Sequence, residues 1–148
     1  MSKKEILIAV VDGQGGGIGR QYIESLTSVL PAKEPIIIRA LGTNATATAS
    51  MLKAGATDGA TGENAIIANV KKADIIIGVV SIVIADSILG ELSPKMAQAI
   101  GQSEAARILI PFDKCNTQIA LLSNGSMQQF IDKTVELTIK KIKEIKGK

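Results

Sequence analysis

Five glycines fall within seven positions, at 13, 15, 16, 17 and 19, directly after an apolar run. Glycine has no Cβ, so such a backbone turns sharply and lets another group approach it closely. If a helix begins here, its first N–H groups have no partner within the helix and lie at the positive end of the helix dipole. Both features favour a phosphate. The stretch therefore predicts a site for a phosphate-bearing ligand.

The flanking residues predict where these glycines lie. Residues 5–11 (EILIAVV) form a continuous aliphatic run, typical of a strand covered on both faces. From Ile18 to Leu30 apolar residues recur every three or four positions, which predicts a helix that ends at Pro31. The glycines are therefore expected between the first strand and the first helix.

The rest of the chain continues the alternation of strands and helices. Further strands are predicted at 35–41, 74–80, 107–111 and 118–122, and further helices at 63–72, 94–101 and 126–145. Residues 44–55 favour a helix capped by Asn44, although the Ala-Thr alternation at 45–49 also suits a strand. Residues 81–89 are apolar without a clear period, and the glycine- and threonine-rich stretch before Glu63 is interpreted as a loop.

This order of elements predicts an α/β fold. Strands that alternate with helices form βαβ units with right-handed crossovers and a mostly parallel sheet. We expect a single Rossmann-like domain over residues 1–148, with a doubly wound sheet between two helical layers. Sheets of this kind bind ligands beyond the carboxyl ends of their strands, where the strand order reverses.

Composition limits the possible classes of protein. Hydrophobic residues make up 46% and charged residues 21% of 148 positions, as in a globular protein. No apolar run reaches the roughly 18 residues that a membrane-spanning helix needs. The first residues show no signal-peptide pattern, so the expected compartment is the cytoplasm, with no membrane partner.

Charge and rare residue types exclude further classes. The net charge is +3, but six lysines lie within the last sixteen residues, on the closing helix. With only three aromatic residues there is no base-stacking platform, so we expect no nucleic-acid partner. The chain has no histidine and one cysteine, Cys115, which excludes an internal disulfide and a cysteine-cluster metal site.

Several polar residues follow predicted strands and are candidates for ligand contacts. Asp12 immediately precedes the glycines and either holds the loop by hydrogen bonds or meets a ribose or metal. Gly42, Thr43 and Asn44 follow the second strand and suit an adenosine moiety, although helix capping alone explains Asn44. Arg39 lies twenty positions after Gly19, where dinucleotide-binding units carry the residue that contacts the ribose. An arginine there suits the 2′-phosphate of NADP, and the alternative is a surface or sheet-end arginine.

Residues 111–116 form the most polar of these loops and supply the weak catalytic candidates Asp113 and Cys115. Cys115 could act as a nucleophile if Lys114 or a helix N-terminus stabilised its thiolate, but no histidine is available as a base. Asp12, Asp86 and Asp113 could together hold Mg²⁺ beside a phosphate, although spacing alone does not show that they converge. No metal site is predicted on this basis.

The glycine spacing distinguishes between known phosphate loops. The strict GxGxxG pattern fails because Ile18 stands where it requires glycine, and no Lys-Ser/Thr follows as in a P-loop. Gly13-Gln14-Gly15-Gly16-Gly17-Ile18-Gly19 resembles instead the GxxxGIG loop of short-chain dehydrogenases/reductases. The resemblance implies that Gly13 allows the turn, that Gly17 and Gly19 admit a pyrophosphate and pack helix against strand, and that Ile18 lies beneath the cofactor.

The catalytic residues of that family have no counterpart. Its Tyr-x-x-x-Lys pair is missing, because the single tyrosine is Tyr22 and Leu26 stands four positions later. Its Asn-Asn-Ala-Gly segment is replaced by Gly78 to Ser81, which makes Ser81 a predicted cofactor contact. The resemblance therefore implies a shared fold and phosphate loop without the shared chemistry.

Taken whole, the chain resembles a family of short bacterial proteins of unknown function with a Rossmann-like appearance. The segments that carry this resemblance are VDGQGGGIG (11–19), LGTNATAT (41–48), TGENAII (61–67) and KKADIIIG (71–78). The family implies no activity.

Three functional hypotheses follow. The first is a small nucleotide-binding protein that holds NADP or NAD on residues 13–19 and forms a homo-oligomer. The second is an enzyme that acts on a nucleotide or phosphorylated substrate through residues 111–116. The third is a structural or interaction protein in which the glycines only allow close packing.

Overall fold

A five-stranded parallel sheet lies between two layers of helices. The computed structural model describes residues 5–112, 116–120 and 124–147. The strands are β1 (Ile6–Asp12), β2 (Ile36–Gly42), β3 (Asp58–Thr61), β4 (Ile75–Val79) and β5 (Ala106–Ile110). The helices are α1 (Gly17–Val29), α2 (Ala45–Lys53), α3 (Glu63–Val70), α4 (Pro94–Gln102) and α5 (Met127–Lys146), and a short 3-10 helix (Val80–Val83) follows β4.

The strand order is β3-β2-β1-β4-β5, and every pairing is parallel. The chain moves from β1 outwards through β2 to β3, crosses back to β4 beside β1, and moves outwards again to β5. The strand order therefore reverses between β1 and β4. The glycine loop lies just beyond the carboxyl ends of these two strands. This arrangement confirms the predicted doubly wound, Rossmann-like α/β fold.

The core forms where the two central strands meet the helices. Ile8 and Val10 of β1 and Ile75 to Ile77 of β4 are completely buried, as expected of strands covered on both faces. Tyr22 of α1 is also fully buried, and its hydroxyl lies 2.8 Å from Oγ1 of Thr138 on α5. That pair fixes α1, and with it the end of the glycine loop, against the last helix.

Two open predictions are resolved by the structure. Residues 45–53 form a helix, because the Asn44 side chain accepts a hydrogen bond from the N–H of Ala47 (2.9 Å) and caps it. After β4 the chain forms neither a longer strand nor an α-helix but the 3-10 helix Val80–Val83.

Two element predictions were wrong. The stretch before Glu63 contains β3, a four-residue edge strand that pairs with β2 in the register Arg39 to Asp58, and not only a loop. The strand predicted at 118–122 does not form at 118–120, and its remaining residues lie outside the described part of the chain. Short polar edge strands are held by backbone pairing, so side-chain periodicity does not reveal them.

Candidate functional site

A cleft of about 470 Å³ opens over the carboxyl ends of β1 and β4. Its floor is formed by the glycine loop and its walls by the segments that follow β4 and β5. The lining residues are Asp12, Gly13, Gln14, Gly15, Gly16, Gly17, Ile18, Gln21, Val79, Ser81, Ile88, Leu89 and Phe112. The volume lies within the range of roughly 300 to 1,000 Å³ that small-molecule sites occupy.

Asp12, the last residue of β1, holds the glycine loop in place. Its Oδ1 accepts a hydrogen bond from the N–H of Gly13 (2.8 Å), and its Oδ2 accepts one from the N–H of Gly19 (2.8 Å). Burial raises the pKa of Asp12, the N–H groups of Gly19 and Gly13 oppose this rise, and the negative charge of Glu91 adds to it. Of the two roles considered for Asp12, the structure supports the structural one.

Two glycines of the loop are required by close contacts. Gly16 has a left-handed backbone (φ 73°), and a Cβ added there would lie 2.7 Å from the backbone oxygen of Ala47 in α2. At Gly19 a Cβ would lie 2.5 Å from Sδ of Met51, also in α2. Gly19 therefore packs α1 against α2 and also against Asp12 at the end of β1, and the second contact agrees with the helix-strand packing that the resemblance implied.

Three N–H groups of the loop lack an acceptor in the part of the chain that the structure describes. Within the described residues, no atom accepts a hydrogen bond from the backbone N–H of Gly15, Gly17 or Ile18. Gly17 and Ile18 are the first two residues of α1, where the dipole is positive. The N-cap residue, Gly16, has no side chain to cap the helix, Asp12 accepts only from the N–H of Gly19 in its first turn, and a Cβ at Gly15 or Gly17 would meet nothing within 4 Å. The start of α1 is thus open to an anion.

Glu91 lies across the loop on the side of β2. Its Oε1 accepts hydrogen bonds from the N–H of Gln14 (3.0 Å), Oγ1 of Thr43 (2.6 Å) and Nδ2 of Asn44 (2.8 Å). The Thr43 hydroxyl and the other donors hold the pKa of Glu91 below its usual value, although partial burial acts in the opposite direction. Glu91 is therefore ionised at neutral pH.

Residues 84–92, here named the cover segment, form one wall of the cleft. Asp86, Ile88 and Leu89 have left-handed backbones (φ 63°, 55° and 53°), which is rare for residues with a Cβ. A bridge between Ser87 and Leu92 closes the segment. Ile88 and Leu89 give this wall an apolar surface, which suits a ring or other flat apolar group.

The structure brings most of the predicted contacts together. Asp12, Gly13, Gln14, Gly15, Gly16, Gly17, Ile18 and Ser81 line the cleft. Gly19 lies just behind the loop. Thr43 and Asn44 reach the site indirectly, by holding Glu91, and Gly42 is packed against Thr48, whose Oγ1 would lie 2.3 Å from a Cβ at position 42.

Arg39 lies elsewhere. It stands in the middle of β2, and its guanidinium donates to both carboxylate oxygens of Asp58 (2.7 and 2.8 Å) and to Oδ1 of Asn69 (3.0 Å). Asp58 raises the pKa of Arg39, and Arg39 lowers that of Asp58. The cation thus joins β2 to β3 and α3, and the prediction that it meets a 2′-phosphate has no support from its position.

The remaining candidates are the weak catalytic pair, the three aspartates considered for Mg²⁺, and Tyr22. Asp113 and Cys115 lie outside the described residues. The described part of the chain holds no group of three acidic, cysteine or histidine side chains that could bind a metal ion. Burial raises the pKa of Tyr22 far above its usual value, and its hydroxyl contacts Thr138 rather than the cleft.

Sequence reasoning missed Glu91 and the apolar wall. Glu91 is separated from Asn44 by forty-seven positions, and no motif connects them. A weak signal existed for the wall, since residues 81–89 were apolar without a helical or strand period. An apolar segment with no regular period, after a strand that ends at the switch in strand order, marks a cleft wall.

The parallel sheet, its strand order and the glycine-lined cleft beyond it define a Rossmann-like α/β protein. Residues 7–143 match the family described as Domain of unknown function (DUF3842), and the chain belongs to that family. Neither the curated proteins nor the solved structures include a match to this chain.

A search for membrane spans covered the described residues. None of their helices combines the length and the apolar character needed to cross a bilayer.

Proposed function

We propose that this chain is a small nucleotide-binding protein whose glycine loop, residues 13–19, holds the phosphates of a dinucleotide, NADP or NAD. The proposal concerns binding and assigns no reaction. One observation carries it: the N–H groups of Gly15, Gly17 and Ile18 have no acceptor among the described residues, at the floor of a cleft. A free N–H group at a helix N-terminus can bind water or an anion, and the positive end of the helix dipole favours the anion.

The surroundings support a nucleotide rather than a free phosphate. Among the described residues that line the cleft there is no lysine or arginine, so the helix start is its positive element. Asp12 lines the cleft and Glu91 binds the N–H of Gln14 beside it. The negative charge of these two carboxylates opposes the binding of a small, fully charged anion. A nucleotide adds contacts of its base and sugar with Val79, Ile88 and Phe112, which line the same cleft.

Calorimetric titration with NADP, NAD, ATP, FMN and S-adenosylmethionine tests the proposal. Gly17→Leu is the key variant, because a Cβ at Gly17 meets nothing within 4 Å and the helix has room to form. We expect it to fold and to lose affinity by about tenfold or more, since the side chain stands beside the open N–H groups. Gly101→Leu is the matched control, because a Cβ at Gly101 in α4 also meets nothing within 4 Å, and Gly101 does not line the cleft. A folded Gly17 variant with unchanged affinity refutes the proposal.

A second candidate, an enzyme that acts on a nucleotide or phosphorylated substrate, has one observation in its favour. Phe112, which immediately precedes Asp113 in the chain, lines the cleft. If Cys115 takes part in such chemistry, saturating nucleotide should slow its alkylation by iodoacetamide. An unchanged rate of alkylation contradicts this candidate.

The proposal extends to a homo-oligomer in the cytoplasm. Leu89 is 93% exposed at the edge of the cleft, and a neighbouring subunit that covered it would bury apolar surface and enclose the ligand. Sedimentation velocity with and without NAD tests the assembly. A monomer at every protein concentration would contradict it.

A further inference from the structure

The carboxylate of Glu91 is anchored by one oxygen only. All three donors that reach it, from Gln14, Thr43 and Asn44, bind Oε1. Within the described residues, no donor contacts Oε2. One side of the carboxylate is therefore saturated and immobile, while the other remains a charged acceptor.

Glu91 lies on the side of the loop where a nucleoside is expected. Its Oε1 is 3.3 Å from the position that a Cβ on Gly13 would occupy, and two of its donors follow β2 directly. If phosphates lie at the start of α1, the sugar next to them lies towards the carboxyl end of β2. The three residues there, Gly42, Thr43 and Asn44, include no acid.

We propose that Glu91 accepts a hydrogen bond from a ribose hydroxyl through Oε2 and thereby selects nucleotides with an unmodified 2′-hydroxyl. This inference rests on the proposed function and narrows it to NAD rather than NADP. A ribose hydroxyl donates to a carboxylate in a charge-assisted hydrogen bond. A 2′-phosphate at the same place offers no such donor and is repelled by the like charge.

The arrangement also explains why three donors converge on a single oxygen. They hold the carboxylate ionised and fix its direction, so little rotational freedom is lost when a hydroxyl binds to Oε2. Arg39, the cation that would favour NADP, is held by Asp58 and Asn69 in the middle of β2. The charge near the sugar is thus negative.

The first experiment measures NAD and NADP affinity by calorimetry in the wild-type protein and in Glu91→Gln. The amide oxygen of glutamine still accepts from the loop donors, but the charge is lost. We expect the wild type to prefer NAD by about tenfold or more, and the variant to lose most of this preference. Glu136→Gln, an equal charge change at a 69% exposed side chain on α5, should leave the preference unchanged.

The second experiment isolates the hydroxyl. ADP and 2′-deoxyadenosine diphosphate are compared in the same two proteins, so that each variant serves as its own reference for folding. We expect removal of the 2′-hydroxyl to weaken binding to the wild type by about tenfold and to have little effect on Glu91→Gln. In Glu91→Ala, removal of the 2′-hydroxyl should have as little effect on affinity as in Glu91→Gln, even if a smaller fraction of this variant is folded.

The outcomes separate the inference from the function on which it rests. If the wild type binds none of these nucleotides, the proposed function is refuted and the inference with it. If it binds them and the ratios are the same in both proteins, only the role of Glu91 is refuted. Tighter NAD binding to Glu91→Gln would also refute it, because Glu91 would then be an occupant that the ligand displaces.

Discussion

The glycine loop and the cover segment enclose the same cleft but differ in how many residues with a Cβ they hold in the left-handed region. The loop places glycine at its left-handed helix cap, Gly16, and Asp12 fixes both of its ends. The cover segment puts Asp86, Ile88 and Leu89 in the left-handed region, which costs about 1–2 kcal/mol each for Ile88 and Leu89 and less for the aspartate. The loop therefore holds one residue with a Cβ in the left-handed region, Gln14 (φ 48°), and the cover segment holds three. The two segments are joined by the contact of Glu91 with the N–H of Gln14. Substitutions should consequently harm the loop and can improve the cover segment.

The largest effect is expected from Gly16→Ala. The new Cβ would combine a left-handed backbone (φ 73°) with a 2.7 Å approach to the Ala47 carbonyl oxygen, which belongs to a helix and cannot move freely. We expect a loss of more than about 2 kcal/mol in the free energy of unfolding. Urea denaturation measures it, with Gly17→Ala as the control that should remain within about 1 kcal/mol of the wild type. Equal stability of the two variants would show that Gly16 is not required by geometry.

A smaller loss is expected from Asp12→Asn. The amide oxygen can accept from only one of the N–H groups of Gly13 and Gly19, and the new NH₂ group faces the other. An unsatisfied buried donor costs about 1–3 kcal/mol, and relief of the buried charge offsets part of this. Denaturation at neutral pH tests the balance. A variant more stable than the wild type would mean that the cost of burying the charge exceeds the value of its two hydrogen bonds.

In the cover segment, Leu89→Asn should stabilise the protein. Leu89 has φ 53° and is 93% exposed, so its side chain contributes little packing, while asparagine adopts left-handed backbone more readily. We expect a gain of up to about 1 kcal/mol in the ligand-free protein, measured at a protein concentration at which it is monomeric. Val29→Asn, at another exposed apolar residue (56%) that ends a right-handed helix, should give no such gain. Destabilisation by Leu89→Asn would indicate that the cover segment is not strained at this position.

The smallest effect concerns pH and the contact between the two segments. The folded-state pKa of Glu91 is lowered from 4.5, so its stabilising contribution is complete above pH 4.5 and is lost as the pH falls through the lower, folded-state value. The stability difference between wild type and Glu91→Gln should therefore be constant at higher pH and shrink below about pH 4.5. Solvent screening keeps it small. The contribution of Asp12 to stability changes in the opposite direction. Its pKa is raised in the folded state, so its protonation stabilises the fold as the pH falls, and this occurs in both proteins. If the stability difference between the two proteins does not vary with pH, the ionised carboxylate of Glu91 does not stabilise the fold through its hydrogen bonds.

The sequence predicted the fold because local patterns and chain order agree. The aliphatic run before the glycines is typical of a buried strand and forms β1. The helix predicted at 94–101 forms as α4, where the Ser93 hydroxyl accepts a hydrogen bond from the N–H of Met96 (3.2 Å). The glycine loop and Asp12 were predicted for the same reason, since they are adjacent in the chain. β3 was missed because Asp58 to Thr61 has no apolar alternation.

The rest of the site depends on contacts between distant residues. Arg39 was placed by counting twenty positions from Gly19, but the count took no account of Asp58, which becomes its neighbour only when β3 pairs with β2. Glu91 was missed because its partners come from two other loops. The residue types of a loop indicate what it can bind. Which charged residues lie next to that loop depends on strand pairing and on contacts between distant segments, and these are seen only in the folded structure.

The buried contact between Tyr22 and Thr138 also provides an intrinsic optical probe. The chain has no tryptophan and a single tyrosine, so its ultraviolet fluorescence arises almost entirely from one phenol ring. That ring lies on α1, five residues after Gly17, and touches the closing helix. Emission from the unlabelled protein therefore reports the separation of α1 from α5, and a disturbance of the first helix can be followed at a single site without introducing any dye.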